Sequence, residues 1–168
     1  MEPKINCNLC SRLVVLRDKN KILYPNFYND RVLGIGPISS KLLIVGLAPG
    51  LRGANRTGKI FHGDFSGNLL FKFLKKYNIS KSYSEFEEMS NINCRITNAV
   101  KCLPPNNKPN SFEIKTCSKF LSSEINKMKN LKIILTFGRI AHNSSIISLN
   151  KKLSEYRFEH LKKHKIND

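Results

Sequence analysis

The chain has 168 residues, of which 40% are hydrophobic and 9% aromatic, so it can form the core of a single globular domain and is not a disordered chain. Its 29 lysines and arginines against 12 aspartates and glutamates give a net charge of +17, which favours a nucleic-acid partner, although a lysine-rich proteome would also explain it. No apolar run reaches the length of a membrane span and no signal-peptide core is visible, so we expect a cytoplasmic protein without a membrane partner.

The first half of the chain contains two predicted helices and one predicted strand. Residues 5–18 are predicted to form a short helix that carries a CxxC motif, and residues 20–40 are irregular, with two prolines and two glycines. The apolar residues 41–47 predict a buried strand. After a glycine-rich loop, residues 67–78 have apolar positions at helical spacing.

The second half continues the alternation of strand and helix. Its predicted elements are, in order, a strand over residues 94–101, a loop over 104–109, a helix capped by Ser111 and ending near Met128, a strand over 131–137, a helix over 138–149 and an amphipathic piece over 152–163. This order predicts an α/β fold with a parallel sheet and helices on both faces. Ligands of such sheets bind at the carboxyl ends of the strands, which here are followed by the glycine loop, the segment around Asn98 and the turn at Gly138.

The glycine loop, residues 46–67, holds six of the nine glycines of the chain. Residues 53–59 fit the GxxxxGK pattern of a phosphate-binding loop, but Ile60 stands where the magnesium-binding serine or threonine belongs, and no helix start follows. A dinucleotide-binding GxGxxG does not occur in the sequence. Both kinds of phosphate site are therefore disfavoured.

Five motifs in a fixed order suggest a different ligand. They are GLAPG at 46–50, NRTGKIF at 55–61, GDFSG at 63–67, TNAVKC at 97–102 and GRIAH at 138–142. Together they resemble the iron–sulfur uracil-DNA glycosylases, most closely family 5, over nearly the whole chain. The resemblance implies a three-layer α/β/α sandwich with a short central parallel sheet. It also implies hydrolysis of the N-glycosidic bond of uracil or other deaminated bases in DNA, the first step of base excision repair.

The resemblance assigns the parts of a pocket for a flipped base. The loop around Gly46 and Ala48 would bring backbone groups close to the base and to the attacking water. Phe61 would stack on the base, and Asn98 would recognise uracil, because an amide offers both a donor and an acceptor. Without the resemblance, Phe61 would be an ordinary core residue and Asn98 a capping or turn residue.

Two residues are candidates for positioning the water, because the first loop is apolar where many relatives outside family 5 carry an acid or an amide. The resemblance to family 5 makes Asn55 the first choice and Asp64 the second. An amide would orient water rather than deprotonate it. Asp64 could instead hold Arg52 or Arg56, and His62 is expected to be exposed.

Four cysteines match the ligands of a [4Fe-4S] cluster in the family, namely Cys7, Cys10, Cys102 and Cys117. Spacing alone would also permit zinc, so the cluster is implied by the resemblance and not by the spacing. Its role would be structural, since it would tie the N-terminal segment to the sheet. Cys94 is expected to be a small buried residue.

The end of the sequence departs from the family pattern. Relatives continue with a further strand and an HPS-like motif, whereas this chain has YRFEHLKKHKIND, and neither His160 nor His164 is assigned a catalytic role. We therefore expect the single domain over residues 1–168 to lack a C-terminal strand and motif. Gly138 and Arg139 could contact DNA phosphate.

Three functions remain open at this point. The first is an active monomeric glycosylase on DNA that contains uracil or other deaminated bases. The second is a catalytically impaired DNA-binding remnant that keeps the cluster. The third is a zinc-bound basic domain that binds RNA.

Overall fold

The computed structural model describes residues 1–80 and 92–166. The elements in these ranges are, in chain order, α1 (Ser11–Leu23), β1 (Leu42–Gly46), α2 (Ala54–Thr57), α3 (Phe65–Lys76), β2 (Arg95–Asn98), a 3-10 turn (Pro105–Asn107), α4 (Ser111–Lys127), β3 (Ile133–Thr136) and α5 (Arg139–Ser148). Within the same ranges, no helix has the length and apolar character that crossing a bilayer requires.

The three strands form one parallel sheet in the order β2-β1-β3. β1 is therefore central, and each of its neighbours is reached through a helix. The register pairs Gly46 with Asn98 and Val45 with Thr136, so the carboxyl ends of all three strands lie at one edge. The predicted parallel sheet is confirmed.

The two faces of β1 contribute to two different hydrophobic clusters. Ile44 belongs to a cluster that contains Leu70 and Leu74 of α3, whereas Leu43 belongs to one that contains Leu121 of α4 together with Ala141 of α5. Adjacent residues of a strand point to opposite faces. Helices therefore cover both faces of the sheet, and the fold is the predicted three-layer α/β/α sandwich.

The CxxC segment precedes the first helix rather than forming part of it, so the predicted boundaries of this helix were wrong. α1 begins at Ser11, and the segment before it is fixed by contacts with distant residues. The Asn6 backbone N–H donates to the Asp30 carboxylate at 2.9 Å, and Arg17 donates to the Cys7 carbonyl at 2.8 Å. Such contacts leave no periodic signal in the sequence.

The cap of α4 is Asn110, one residue before the predicted Ser111. The Asn110 side chain accepts a hydrogen bond from the Glu113 N–H at 2.9 Å, and the Glu113 carboxylate accepts one from the Asn110 N–H at 2.8 Å. This reciprocal capping box satisfies two backbone donors that the helix itself leaves unpaired. Glu113 also binds Arg12 of α1 at 2.7 Å, which joins α1 to α4.

The outer strand β3 exposes apolar side chains. Ile133, Leu135 and Phe137 are 61%, 45% and 41% exposed. Leu135 pairs with Ile44, so it faces the same side of the sheet as α3. Residues 152–163, predicted as an amphipathic piece, contain turns and no helix.

Candidate functional site

The ends of β1 and β2 bring Gly46 and Asn98 side by side as register partners. Asn98 is 3% exposed, and the backbone continues the pairing just beyond the strands, where the Ala99 N–H donates to the Gly46 carbonyl at 2.9 Å. A Cβ placed on Gly46 would lie 2.5 Å from Asn98 Oδ1 and 2.7 Å from Phe61 Cζ. The amide of Asn98 and the ring of Phe61 therefore meet at the bare backbone of Gly46.

The position of the Phe61 ring is set by its backbone conformation and by contacts with Gly67 and Phe137. Its φ of +51° lies in the left-handed region, which is unusual for an aromatic residue. A Cβ on Gly67 would collide with the Phe61 carbonyl, so only glycine lets α3 approach this closely. The ring also contacts Phe137 edge-to-face, with centroids 6.0 Å apart.

Asp64 contacts both α3 and the glycine loop. Its Oδ1 accepts a hydrogen bond from the Gly67 N–H at 2.9 Å and so caps α3. Its Oδ2 faces Gly53, where a Cβ would overlap it, and lies 3.7 Å from the Cβ position of Gly50. Arg56, one of the two arginines that we considered as partners of Asp64, donates instead to a backbone carbonyl at 2.8 Å.

Asn55 lies in α2 and is buried, at 3% exposure. Its Nδ2 donates to Asn29 Oδ1 at 2.9 Å, and Asn29 in turn donates to three backbone carbonyls. Asn55 also lines a recess together with Asp30 and Cys102. The side chain of Asn55 is thus bonded away from the glycines, although its backbone N–H donates to the Gly50 carbonyl at 3.0 Å, whereas the Asp64 carboxylate faces the glycines.

Ala48 and His62 are both in contact with the interior of the protein. Ala48 packs against the hydrophobic cluster that contains Cys10 and Cys117, so the first loop is in contact with the cysteine region. His62 is 8% exposed, so the expectation that it faces solvent was wrong. The ring is buried next to Phe61, in a turn where Thr57 donates to the His62 carbonyl at 3.5 Å.

The four predicted ligand cysteines come together from distant parts of the chain. Cys7, Cys10, Cys102 and Cys117 all line one recess, whose other lining residues are mostly apolar. Their thiols also affect one another electrostatically: Cys10 and Cys102 are each influenced by Cys7 and by Cys117. Within residues 1–80 and 92–166, however, no three His, Cys, Asp or Glu side chains are arranged closely enough to hold a metal ion as they stand.

Burial is the main cause of the raised pKa values of three of these thiols. It raises the pKa of Cys10 to about 11 and that of Cys102 to about 12, and the neighbouring cysteines add to both shifts. Burial also raises the pKa of Cys117, against the opposing effect of the Lys101 backbone N–H and ammonium. Without a metal the thiols of Cys10, Cys102 and Cys117 are therefore protonated at neutral pH, and a metal would have to displace their protons.

A buried charged network, which the sequence analysis did not anticipate, lies beside this recess. Glu124 accepts from Arg95 Nε at 2.6 Å, from Thr97 Oγ1 at 2.8 Å and from Lys101 Nζ at 3.1 Å. Burial alone would raise the pKa of Glu124, but Lys101 and Arg95 more than offset it, so the pKa is lowered. No motif or periodicity in the sequence indicates this network, because lysine and arginine are usually exposed.

The turn before α5 is exposed, as its predicted contact with phosphate would require. Gly138 has a φ of +90°, and nothing lies within 4 Å of the position its Cβ would take. Arg139 begins the helix and is exposed. The N-terminus of this helix therefore faces open space at the same edge of the sheet as Gly46.

Comparison with known proteins identifies the family. The model of the uracil DNA glycosylase superfamily matches residues 33–164. The type-5 uracil-DNA glycosylase of Thermus thermophilus is 30% identical over 161 residues, which are 92% of this chain and 74% of that protein. The type-5 enzyme of Pyrobaculum aerophilum is 35% identical, over 82% of this chain and 63% of its own length. That of Mycobacterium leprae is 38% identical, over 70% and 56%.

The matched region includes all three strands, the glycine loop and the Gly46, Phe61 and Asn98 cluster, and it begins after Cys7 and Cys10. The alignment with the Thermus protein extends over 92% of the chain, while the chain spans between about half and three quarters of the length of these three relatives. On these grounds the chain belongs to the uracil DNA glycosylase superfamily, among the relatives named type-5 uracil-DNA glycosylases.

Proposed function

We propose that this protein is a uracil-DNA glycosylase that hydrolyses the N-glycosidic bond of uracil or another deaminated base in DNA and so initiates base excision repair. The observation that carries the proposal is the meeting of the Asn98 amide and the Phe61 ring at Gly46, at the carboxyl edge of a parallel sheet. A planar base needs a flat apolar surface and a paired donor and acceptor, and these two side chains supply them.

Asn98 would provide the specificity for the base. Its Nδ2 would donate to uracil O4, and its Oδ1 would accept from N3–H, whereas cytosine presents the opposite pair at these positions. Because Asn98 is buried, an unsuitable base would leave its polar atoms without partners, which costs more than a missing contact in water. Gly46 would let the base approach the backbone, and the Ala48 backbone would line the pocket for the attacking water.

Asp64 and Asn55 are the candidates for orienting the water. The contacts support Asp64, whose Oδ2 faces Gly53 and Gly50 of the loop, while the Asn55 amide is bonded to Asn29. A carboxylate beside the loop would also stabilise the positive charge that develops on the sugar as the bond breaks. Asn55 would then support the loop from behind, since its carbonyl accepts from the Asn29 N–H at 3.1 Å.

The four cysteines Cys7, Cys10, Cys102 and Cys117 would hold a [4Fe-4S] cluster. Four thiols around one largely apolar recess are a donor set that such a cluster requires. When bound, the cluster would supply a structural cross-link. It would tie the segment before α1 to α4 and to the loop after β2, and so fix the end of the strand that carries Asn98.

DNA would be bound mainly through charge. The net charge of +17 suits a polyanion, and the exposed Arg139 at the start of α5 lies at the same edge of the sheet as the site. We expect the protein to act as a monomer in the cytoplasm, with uracil-containing DNA as its partner.

A single-turnover assay on uracil-containing single-stranded and duplex DNA tests the proposal. Abasic sites should form above the buffer background, and Asn98→Asp should lower the rate at least about a hundredfold, because a carboxylate cannot donate to O4. Lys115→Met, which changes an exposed lysine of α4, is the control for handling and folding.

Two outcomes would contradict this proposal. Product at background level, with retained DNA binding, would overturn the enzymatic proposal and leave a DNA-binding protein of this fold. A colourless preparation that contains zinc and lacks absorbance near 400 nm would overturn the cluster.

A further inference from the structure

We propose that the positive charge of Lys101 retains the iron–sulfur cluster in this protein. Lys101 belongs to a buried network with Arg95, Thr97 and Glu124, in which positive charge exceeds negative charge. The inference rests on the cluster of the proposed function and adds a role for a residue that is not a ligand. Lys101 is a positioning residue in this sense, because it would act on the cluster through the thiolates.

Lys101 contacts both the network and the cysteine recess. Its side chain is 3% exposed and lines the recess together with Cys102 and Cys117. It immediately precedes the predicted ligand Cys102 in the chain. Its ammonium is bonded to Thr97 and lies 3.1 Å from the Glu124 carboxylate. One residue thus joins a predicted ligand to the network.

The network contains more positive than negative charge. Arg95 and Lys101 contribute two cations and Glu124 one anion, and all three residues are at most 8% exposed. Glu2 lies 3.8 Å from Arg95 but is 57% exposed, so solvent screens its contribution. Arg95 and Lys101 share the single carboxylate of Glu124, at 2.6 Å and 3.1 Å, so one positive charge of the network is not balanced.

An unbalanced buried cation is unfavourable unless an anion compensates it. A cluster on four thiolates is such an anion, because the thiolate charges exceed those of the iron and sulfide core. Apart from the four cysteines, the recess that would hold the cluster is lined by Lys101 and by mostly apolar residues. The two buried charges would therefore stabilise one another at close range, where solvent screening is weak.

Two substitutions in the network change its charge in opposite directions. Lys101→Met makes the network neutral and keeps the Arg95 and Glu124 pair, whereas Glu124→Gln increases the excess from one positive charge to two. Each removes buried hydrogen bonds and should lower the resistance of the protein to urea. A merely structural role for the network predicts that both variants lose the cluster faster than the unaltered protein.

The test is the rate at which the purified, cluster-loaded proteins lose absorbance near 400 nm in excess chelator, at fixed pH and ionic strength. We expect Lys101→Met to bleach at least about tenfold faster than the unaltered chain and to contain less iron per chain on purification. Glu124→Gln should bleach at the original rate or more slowly, although urea unfolds it more readily.

Lys101→Arg keeps the charge and should bleach like the unaltered chain, which keeps the proposal testable if Glu124→Gln does not fold. Lys115→Met, which replaces an exposed lysine on the same helix as Cys117, controls for the loss of a distant surface charge. Bleaching of Lys101→Met at the original rate, or of Glu124→Gln as fast as Lys101→Met, would overturn the inference. An unaltered protein without colour would instead overturn the cofactor itself, and the inference with it.

Discussion

The amide of Asn98 and the ring of Phe61 meet at the place where a side chain on Gly46 would stand. A Cβ there would lie 2.5 Å from Asn98 Oδ1 and 2.7 Å from Phe61 Cζ. The two side chains come from different segments, one from the end of β2 and the other from the loop before α3. Their approach therefore depends on the absence of a side chain at the end of β1.

Gly46→Ala should separate these two side chains. Because the added methyl would overlap both, we expect a loss of about 1–3 kcal/mol in the free energy of unfolding, as for other overpacked sites. We expect uracil excision to fall at least about a hundredfold, since the base-binding groups would be displaced. Thermal unfolding and single-turnover excision measure the two effects.

Gly50→Ala is the matched control for stability, because its Cβ would meet Asp64 at an ordinary contact distance of 3.7 Å. Its free energy of unfolding should change by no more than about 0.5 kcal/mol. If Gly46→Ala were as stable and as active as the unaltered protein, the close approach at Gly46 would have no importance for the site.

The two oxygens of Asp64 predict different results for two substitutions. Asp64→Asn keeps an oxygen for the Gly67 N–H and remains a good helix cap, so stability should be nearly unchanged, whereas Asp64→Ala should lose about 1 kcal/mol. If the carboxylate orients water beside the loop, both variants should lose excision activity at least about a hundredfold. Urea unfolding and excision assays separate the capping role from the chemical one.

Asn55→Ala is the companion variant for the rival assignment. It removes a buried hydrogen bond to Asn29 and should cost about 1–3 kcal/mol, with a smaller effect on the rate at a temperature where the protein stays folded. Full activity of Asp64→Asn together with an inactive, folded Asn55→Ala would reverse the assignment.

The sequence was sufficient to predict the parts of this fold that depend on local pattern. The apolar run of residues 41–47 and the alternation of strands and helices predicted the parallel sheet, and the motif order predicted the family. Asn98 and Gly46 could be expected at one edge because parallel strands end there together.

The features that the sequence did not reveal depend on contacts between distant segments. The start of α1 is set by Asp30 and by Arg17, and the burial of His62 depends on how the glycine loop folds over α3. The link of Lys101 to Glu124 joins the loop after β2 to the last turn of α4, which no periodicity indicates. Lysine is usually exposed, so the residue type of Lys101 does not predict its burial.

Substitution of individual cysteines should distinguish the ligands from the fifth cysteine. Cys102→Ala should remove most of the absorbance near 400 nm, because its thiol lines the recess and three ligands bind a cluster poorly. Cys94→Ala should keep the absorbance, since Cys94 lies in the hydrophobic cluster on the opposite side of the sheet, with Ile44 and Ile96. Iron content per chain is the second measurement, and a bleached Cys94→Ala with a coloured Cys102→Ala would exchange their roles.

Cys94 also predicts how stability changes at alkaline pH. Its side chain is fully buried, and burial raises the pKa of the thiol from 9.0 to about 12. Between these values the unfolded chain loses the proton while the native thiol keeps it, so the native state is destabilised as the pH rises. The free energy of unfolding should fall by at most about 1.4 kcal/mol per pH unit on account of this group. Urea unfolding at pH 8, 9 and 10 measures the slope.

The comparison with Cys94→Ala isolates this contribution from that of lysines and tyrosines, which titrate in the same range. The variant should be less stable at pH 8, because a buried sulfur is removed, but its stability should fall less steeply above pH 9. The difference in free energy between the two proteins should therefore shrink as the pH increases. Parallel curves for the two proteins would mean that Cys94 ionises as easily in the native state as in the unfolded chain, which contradicts its place in a closed apolar cluster.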